Sequence, residues 1–213
     1  MAEAGRWCRW AAPIALVAVL LTACGGQEEP GDVVSGVQTS DDRGYEGAYL
    51  ETPYVVPDVV LSDTSGESYS LAAEDAPLKV VFFGYTKCPD ICQIVMSTIA
   101  SAVTRLDAEQ RDQVEVVFVT TDPARDTGQV LRTYLDRLDP AFVGLTGDLD
   151  QIIALAKPMK VFVAEGRKLP SGGYEVDHST HVLGVTGDQT RVVWTQGTSP
   201  AAMAADIIKL LKS

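Results

Sequence analysis

The feature that most constrains the fold is an uninterrupted apolar run, LKVVFFGY (78–85), that leads directly into the cysteine-containing segment TKCPDIC (86–92). A continuous apolar run of this length is typical of a strand buried on both faces of a sheet. Apolar side chains then recur at helical spacing as far as Leu106. Pro89 fits the first turn of that helix, where its missing N–H costs nothing. The segment therefore predicts a central strand that ends in a cysteine pair at the mouth of a helix.

Strand and helix patterns alternate along the rest of the chain. VEVVFVTTD (114–122) and FVGLTG (142–147) predict further strands, each followed by an amphipathic helix pattern. Two short strands around the turn DTSG (63–66) precede this region, and a hairpin and the helix SPAAMAADIIKLLK (199–212) follow it. This order predicts an α/β fold with a central mixed sheet, helices on both faces, N-terminal strands and a hairpin. A cysteine motif between the first central strand and its helix is the thioredoxin-like arrangement.

The N-terminal residues resemble a lipoprotein signal peptide. A positive segment precedes the apolar run AAPIALVAVLL (11–21), which is too short for a comfortable membrane span of roughly 20 residues. The run ends in LTAC, which resembles a lipobox whose cysteine is Cys24. We therefore expect residues 1–23 to be a cleaved signal peptide, residues 24–48 a flexible tether and residues 49–213 the folded domain. The alternative is an uncleaved transmembrane anchor.

A lipidated Cys24 would hold the domain at the outer, extracytoplasmic face of the cell membrane. The net charge of -12 argues against a nucleic-acid partner, because nucleic-acid binders carry a basic face. We expect no nucleic-acid partner, and we expect a monomer.

Only two of the four cysteines belong to the predicted domain, because Cys8 lies in the signal peptide and Cys24 would carry lipid. A disulfide between Cys88 and Cys92 would close a loop too short to restrain the unfolded chain much. A helix N-terminus favours thiolates, which attack disulfides and also bind soft metals. Three intervening residues, instead of the two usual in thioredoxin-type reductases, mildly favour a metal. The pair alone leaves redox chemistry and metal binding both open.

The histidines are the next candidate ligands, and the chain has two of them, both in VDHSTHVLG (176–184). Strand residues three apart point to opposite faces, so only one of them can easily face the cysteines. His178 begins the predicted strand beside Asp177, which could hold its ring by a hydrogen bond. His181 is expected to be an ordinary surface or packed side chain. Sequence spacing alone does not connect His178 to the cysteines.

Four segments of the chain resemble the Sco/SenC family of copper-binding assembly factors for cytochrome c oxidase. These segments are PYVVPDVVLSDTSGESYSL (53–71), FFGYTKCPDIC (82–92), TTDPARDT (120–127) and VDHST (176–180). The resemblance implies a thioredoxin-like fold with extra elements and a site for Cu(I) or Cu(II). The chain departs from the family at Gln93, where proline is frequent, and in the TGDQ turn, where a DPDG-like turn is usual.

The resemblance also implies which residues form the site. It assigns the copper ligands to Cys88, Cys92 and His178, with VDHST in the loop where thioredoxins carry a cis-proline, opposite the cysteines. It places Asp90, Asp122 and Arg125 around the site, where Asp177 joins them as the possible hydrogen-bond partner of the His178 ring. Turn and capping chemistry is an equally good account of Asp122 and of Asp126.

Two functions follow from the resemblance. The first is a copper chaperone, which needs no turnover chemistry and would deliver copper to the binuclear copper centre in subunit II of cytochrome c oxidase. The alternative is a membrane-anchored thiol–disulfide oxidoreductase, in which Cys88 and Cys92 act as a catalytic redox pair and reduce the oxidase cysteines. A thioredoxin-like reductant would then be a further partner. A peroxidase lacks its dedicated motif here, and a structural zinc site would be one ligand short.

Overall fold

The computed structural model describes residues 43–164 and 176–213. The predicted signal peptide, Cys24 and residues 25–42 of the predicted tether lie outside the described residues and stay predictions. The strands are β1 (Ala48–Val55), β2 (Val60–Asp63), β3 (Ser68–Ser70), β4 (Leu78–Gly84), β5 (Val114–Thr120), β6 (Val143–Thr146), β7 (Val163–Ala164), β8 (Asp177–His178), β9 (Val182–Thr186) and β10 (Gln189–Trp194). The helices are α1 (Ile91–Val103), α2 (Ala108–Arg111), α3 (Gly128–Leu135), α4 (Leu149–Ala156) and α5 (Pro200–Leu210).

Eight of these strands form one mixed sheet in the order β1-β10-β9-β4-β5-β6-β2-β3. Strand β4 lies at its centre, parallel to β5 and antiparallel to β9. Phe82 of β4 pairs with Phe118 on one side and with Val182 on the other. Within residues 43–164 and 176–213, strands β7 and β8 pair only with each other, as a short antiparallel ribbon. The apolar run of β4 is therefore explained by its position, since every one of its residues is buried.

Alternate residues of β4 supply two hydrophobic cores, one on each face of the sheet. Val80 and Phe82 pack in a core with the apolar faces of α1, α3 and α5. Val81 and Phe83 pack in the other core, with α4 and with residues of β1 and β2. The predicted fold class, a mixed sheet with helices on both faces, is confirmed.

Two details differ from the sequence predictions. Helix α1 begins at Ile91, and its N-cap Asp90 has a φ of -143° and a ψ of -80°, outside helical geometry. Pro89 therefore precedes the helix and does not lie in its first turn. His178 does not begin the strand that contains Val182; it belongs to β8, which pairs with β7. Within the described residues, no helix is both long and apolar enough to cross a membrane.

A buried carboxylate on α5 holds the chain at the entry to β1. Asp206 is 1% exposed and accepts hydrogen bonds from the backbone N–H groups of Glu46 and Gly47, at 2.9 and 2.8 Å. Its Oδ2 atom also accepts from Trp194 Nε1, at 2.8 Å. The same α5 carries Lys209, whose Nζ atom lies 4.6 Å from the centre of the Tyr45 ring. We call the contacts among Asp206, Trp194, Glu46 and Gly47 the Asp206 clasp.

Candidate metal centre

The two cysteines of the domain lie where the central strand passes into α1. Cys92 is in the first turn of α1 and is 1% exposed, whereas Cys88 lies in the preceding loop and is half-buried. The Cys88 N–H donates to the carbonyl oxygen of Tyr85 at 3.2 Å. The Cys92 N–H donates to the Cys88 Sγ atom at 3.4 Å. Both thiols are free. The first helical turn thus directs one of its unsatisfied N–H groups at the Cys88 sulfur atom.

Gly84, the last residue of β4, makes room for the inner sulfur. A Cβ atom at this position would lie 3.1 Å from the Sγ atom of Cys92 and 2.8 Å from the Phe82 ring. Both distances are shorter than ordinary van der Waals contact. Any larger residue would push Cys92 or Phe82 away, so this glycine is a requirement of the site that sequence reasoning missed.

His178 completes the cluster from the β7–β8 ribbon. It pairs with Val163, and its Nε2 atom lies 3.4 Å from the Sγ atom of Cys92. Its Nδ1 atom lies 2.8 Å from the carbonyl oxygen of Ser179. Because only a protonated nitrogen can donate to a carbonyl, this contact assigns the proton to Nδ1 and leaves the lone pair of Nε2 directed at the cysteines.

Two aromatic rings fix the orientation of the imidazole. The Tyr85 ring centre is 5.7 Å from that of His178, with the rings at 90° to each other. The Phe82 ring centre is 6.1 Å away, at an interplanar angle of 77°. Both are edge-to-face arrangements, which aromatic pairs prefer. Phe82 belongs to the buried central strand β4, and Tyr85 directly follows that strand. The central strand therefore positions both rings that orient the histidine.

The three side chains form a group with the dimensions of a metal site. The Sγ atoms of Cys88 and Cys92 and a ring nitrogen of His178 all lie within 4.8 Å of one another. Ligand atoms about 2.0–2.3 Å from a shared metal lie at most about 4.6 Å apart, so movements of a few tenths of an ångström would suffice. Two thiolates and an imidazole suit a soft metal ion such as Cu(I). The donor set and its geometry therefore fit copper.

Burial separates the two sulfur atoms chemically. Burial in the core is the main factor that raises the pKa of the Cys92 thiol, and a hydrogen bond with Cys88 adds to this effect. Without a metal, Cys92 is therefore a neutral thiol near pH 7. A metal ion would have to displace that proton to bind, so its affinity should depend on pH.

The four residues predicted around the site occupy different places. Asp122 is 3% exposed and forms an ion pair with Arg125, whose guanidinium lies 5.7 Å from the Tyr85 ring centre. Asp90 is exposed at the N-cap of α1 and makes no capping hydrogen bond with its side chain. The backbone of Asp177 pairs with Ala164 in the β7–β8 ribbon. Their proposed roles around a metal stay predictions.

Asp126 is a supporting residue whose importance the sequence did not reveal. It is 0% exposed. Its carboxylate accepts hydrogen bonds from the Thr86 N–H at 2.9 Å, from the Thr86 hydroxyl at 2.6 Å and from the Thr120 hydroxyl at 2.8 Å. These contacts, which we call the Asp126 bracket, join the end of β5 to the loop that carries Cys88. They fix the loop, because a buried carboxylate holds its donors strongly.

His181 lies outside the group of three. It is partly exposed, and burial lowers the pKa of its imidazole. A packed, neutral imidazole agrees with the prediction that His181 is an ordinary surface or packed side chain.

The fold and the site define a thioredoxin-like protein with two cysteines after its central strand and a histidine that reaches them from a separate ribbon. The sequence profile of the SCO1/SenC family matches residues 48–212. The chain belongs to this family, which confirms the resemblance drawn from its four motifs.

Individual relatives agree with this assignment. The chain is 33% identical over 147 residues to the SCO2-like protein of Rickettsia felis, covering 68% of this chain and 71% of that protein. A Stutzerimonas stutzeri protein that is proposed to bind copper is 35% identical over 133 residues, which are 62% of this chain. The chain spans 65% of that relative and 44% of the mitochondrial SCO2 protein of Saccharomyces cerevisiae. Bradyrhizobium japonicum ScoI, solved with copper bound, is similar with a TM-score of 0.66 and 25% identity, covering 73% of this chain and 99% of that one.

Proposed function

We propose that the protein is a copper chaperone that holds one copper ion between Cys88, Cys92 and His178. The observation that carries the proposal is the convergence of the three ligand atoms within 4.8 Å of one another, from parts of the chain far apart in sequence. Copper is the proposed cargo because two thiolates and an imidazole form a soft donor set. In addition, one similar protein was solved with copper bound, and one relative is proposed to bind copper. By family resemblance, the acceptor is the binuclear copper centre in subunit II of cytochrome c oxidase.

The arrangement suits delivery of a metal better than its permanent retention. Three protein ligands leave a coordination position open, through which thiolates or imidazoles of an acceptor can enter. Cys88 is half-buried whereas Cys92 is fully buried, so the incoming ligands meet the metal on the Cys88 side. Exchange of ligands one at a time would transfer the ion without releasing it to water.

A Cu(I) competition titration of the full-length protein in detergent, with its thiols reduced, tests this proposal. We expect one tightly bound copper ion per chain, and loss of that binding in Cys88→Ser and in Cys92→Ser. The matched control is His181→Ala, which changes a histidine outside the group of three and should leave the titration unchanged. Equal affinity in all three variants would exclude the proposed site.

Thiol–disulfide exchange is the second candidate, because two free thiols lie within reach of each other. The Cys88 thiolate would attack a partner disulfide, forming a mixed disulfide and releasing one partner thiol. The Cys92 thiolate would then attack the mixed disulfide, forming the Cys88–Cys92 disulfide and releasing the second thiol. Two electrons pass to the partner, which would be the oxidase cysteines, and a thioredoxin-like reductant would restore the pair. This reaction does not need His178 as a ligand, whereas copper delivery does.

The proposed location is the extracytoplasmic face of the cell membrane, with a lipid anchor on Cys24. The lipobox-like LTAC sequence (21–24) after a short apolar run supports it. An oxidising compartment of this kind permits disulfide formation between Cys88 and Cys92.

A further inference from the structure

Phe162 exposes an aromatic ring to solvent next to the ribbon that carries His178. Its side chain is 60% exposed, and within residues 43–164 and 176–213 it is the only aromatic one among the exposed large hydrophobic side chains. Its neighbours in the chain, Val161 and Val163, are both buried. Because side chains alternate along an extended segment, the Phe162 ring points away from the core while both neighbours anchor the backbone. The exposed ring is therefore held on a fixed part of the chain.

Backbone contacts place Phe162 beside the histidine ligand. The Phe162 N–H donates to the Ser179 hydroxyl oxygen at 2.9 Å, and the Ser179 N–H donates to the Phe162 carbonyl oxygen at 3.1 Å. Ser179 directly follows His178, and its carbonyl oxygen accepts from the Nδ1 atom of that residue. Val163, the residue after Phe162, pairs with His178 in the β7–β8 ribbon. One short segment therefore carries the exposed ring and positions the histidine.

Transfer of copper brings an acceptor protein against this part of the surface. In ligand exchange, the donor atoms of the acceptor must come within about 2.0–2.3 Å of the metal. At that distance the two protein surfaces touch, and the residues next to the ligands become covered. The exposed residues of the cysteine loop are Lys87, Pro89 and Asp90, which offer two charges and a small ring. Phe162 adds an aromatic side chain, which is a type of residue enriched in protein–protein interfaces.

We propose that Phe162 is the apolar contact through which the protein docks its copper acceptor, a folded protein whose own thiolate or imidazole ligands lie next to an apolar surface. The inference rests on the proposed function, because it needs an acceptor that takes copper. The net charge of -12 opposes two other occupants, a second copy of this chain and an anionic membrane surface, since like charges repel. Burial of the ring against the acceptor stabilises the complex while the ligands exchange.

The test is the transfer of Cu(I) from the full-length protein in phosphatidylcholine nanodiscs to the metal-free, reduced copper-binding domain of cytochrome c oxidase subunit II. Separation of the nanodiscs from the acceptor at timed intervals, followed by copper analysis, gives the second-order rate constant. We expect Phe162→Ser to lower this rate constant by about tenfold or more, because burial of a phenylalanine side chain contributes strongly to association. Its Cu(I) affinity should stay unchanged, since the backbone hydrogen bonds to Ser179 do not involve the altered side chain. Phe162→Leu, which keeps an apolar side chain, should restore most of the rate.

The matched control is Val60→Ser, which removes an apolar side chain of similar exposure, 50%, from β2. It should transfer copper as the unaltered protein does. An unchanged rate in Phe162→Ser, an equal loss of rate in Val60→Ser, or a weakened Cu(I) affinity in Phe162→Ser would each overturn the inference.

The same variants distinguish the other occupants and the failure of the proposed function. Suppose that Phe162→Ser abolishes self-association in sedimentation velocity, or that phosphatidylglycerol nanodiscs alone protect the Phe162 amide from hydrogen exchange, while the transfer rate is unchanged. The ring then belongs to an interface between copies or to the membrane, and the inference is wrong. If the unaltered protein binds copper but delivers none to the acceptor, the proposed function fails and the inference fails with it. Delivery at a rate that Phe162→Ser does not lower overturns the docking inference alone.

Discussion

The Nε2 atom of His178 lies 3.4 Å from the Sγ atom of Cys92, although 86 positions separate the two residues in the chain. Two short backbone contacts explain this proximity. His178 pairs with Val163 in the β7–β8 ribbon, and the Ser179 N–H donates to the carbonyl oxygen of Phe162 at 3.1 Å. The site therefore depends on a two-stranded ribbon outside the main sheet as much as on the cysteine loop.

Replacing His178 by alanine should separate copper binding from thiol chemistry. The variant loses one of three proposed ligands, so its Cu(I) affinity should fall by about tenfold or more. The Cys88–Cys92 disulfide should still form, because both sulfur atoms remain. A Cu(I) competition titration and a mass-spectrometric assay of disulfide formation, run on the same sample, measure the two effects.

The chain offers a matched control at His181, the other histidine of the same segment. His181→Ala should leave Cu(I) affinity unchanged, since this residue lies outside the group of three. If His178→Ala and His181→Ala bind copper as tightly as the unaltered protein, the three-ligand site is wrong and thiol–disulfide exchange becomes the better account.

The two cysteines should react with iodoacetamide in a fixed order. Cys88 is half-buried, whereas Cys92 is 1% exposed and burial raises the pKa of its thiol. Since the thiolate is the reactive form, Cys92 should stay protected at pH 8 while Cys88 is labelled. Raising the pH increases the thiolate fraction of Cys92 and should narrow the difference. Peptide mapping after timed labelling measures both rates, and equal labelling at pH 8 would contradict the structure.

Asp126→Asn should loosen the cysteine loop. The amide keeps the size of the carboxylate but loses an acceptor oxygen and presents an N–H₂ group to Thr86 or Thr120. Leaving buried donors unpaired should lower the free energy of unfolding by about 2–4 kcal/mol. Copper affinity should also fall, because Thr86 no longer holds the loop before Cys88. Denaturant unfolding and copper titration check the two effects, with the exposed Asp112→Asn as a control that should change neither.

Asp206→Asn, unlike Asp126→Asn, should lower the free energy of unfolding but leave the copper affinity unchanged. The substitution weakens the Asp206 clasp, which holds Trp194 and the backbone before β1. Three donors then compete for one amide oxygen, at a cost of about 2–3 kcal/mol in unfolding free energy. Denaturant unfolding should detect the loss, whereas Asp188→Asn at an exposed turn should not. A large drop in copper affinity would mean that the clasp and the metal centre are coupled.

Cys24→Ser tests the proposed lipid anchor. Without the cysteine no lipid can be attached, so the protein should move from the membrane fraction to the soluble fraction. Immunoblotting of fractionated cells measures this, with Cys8→Ser as the control that should stay at the membrane. Retention of the Cys24→Ser protein at the membrane would favour the uncleaved transmembrane anchor.

The sequence predicted best those parts of the molecule whose pattern repeats along the chain. The apolar run of β4 and the helical spacing after Cys92 correctly placed the cysteines between a central strand and α1. The position of His178 could not be derived in this way, because the β7–β8 ribbon has only two residues per strand. Two residues carry no periodicity, and the family resemblance was needed to bring the histidine to the cysteines.

The supporting acidic residues were missed for two different reasons. Asp126 follows a turn-rich segment, where an exposed aspartate and a buried one look the same in sequence. Asp206 could have been found, because it lies three positions after Met203 and four before Leu210, on the buried face of α5. A charged residue on the apolar stripe of a helix indicates a buried partner, since an unpaired buried carboxylate would be very costly.

The pairing of β1 with β10 has a consequence for the order of folding. Ala48 pairs with Val193 and Tyr49 with Val192, so in the described part of the chain the first strand of the sheet pairs only with the last. During synthesis β1 therefore remains an unpaired edge until nearly the whole domain has emerged. Contacts between such distant segments slow folding, because a long loop must close before they form. Protection of β1 amides from hydrogen exchange should accordingly develop late in refolding.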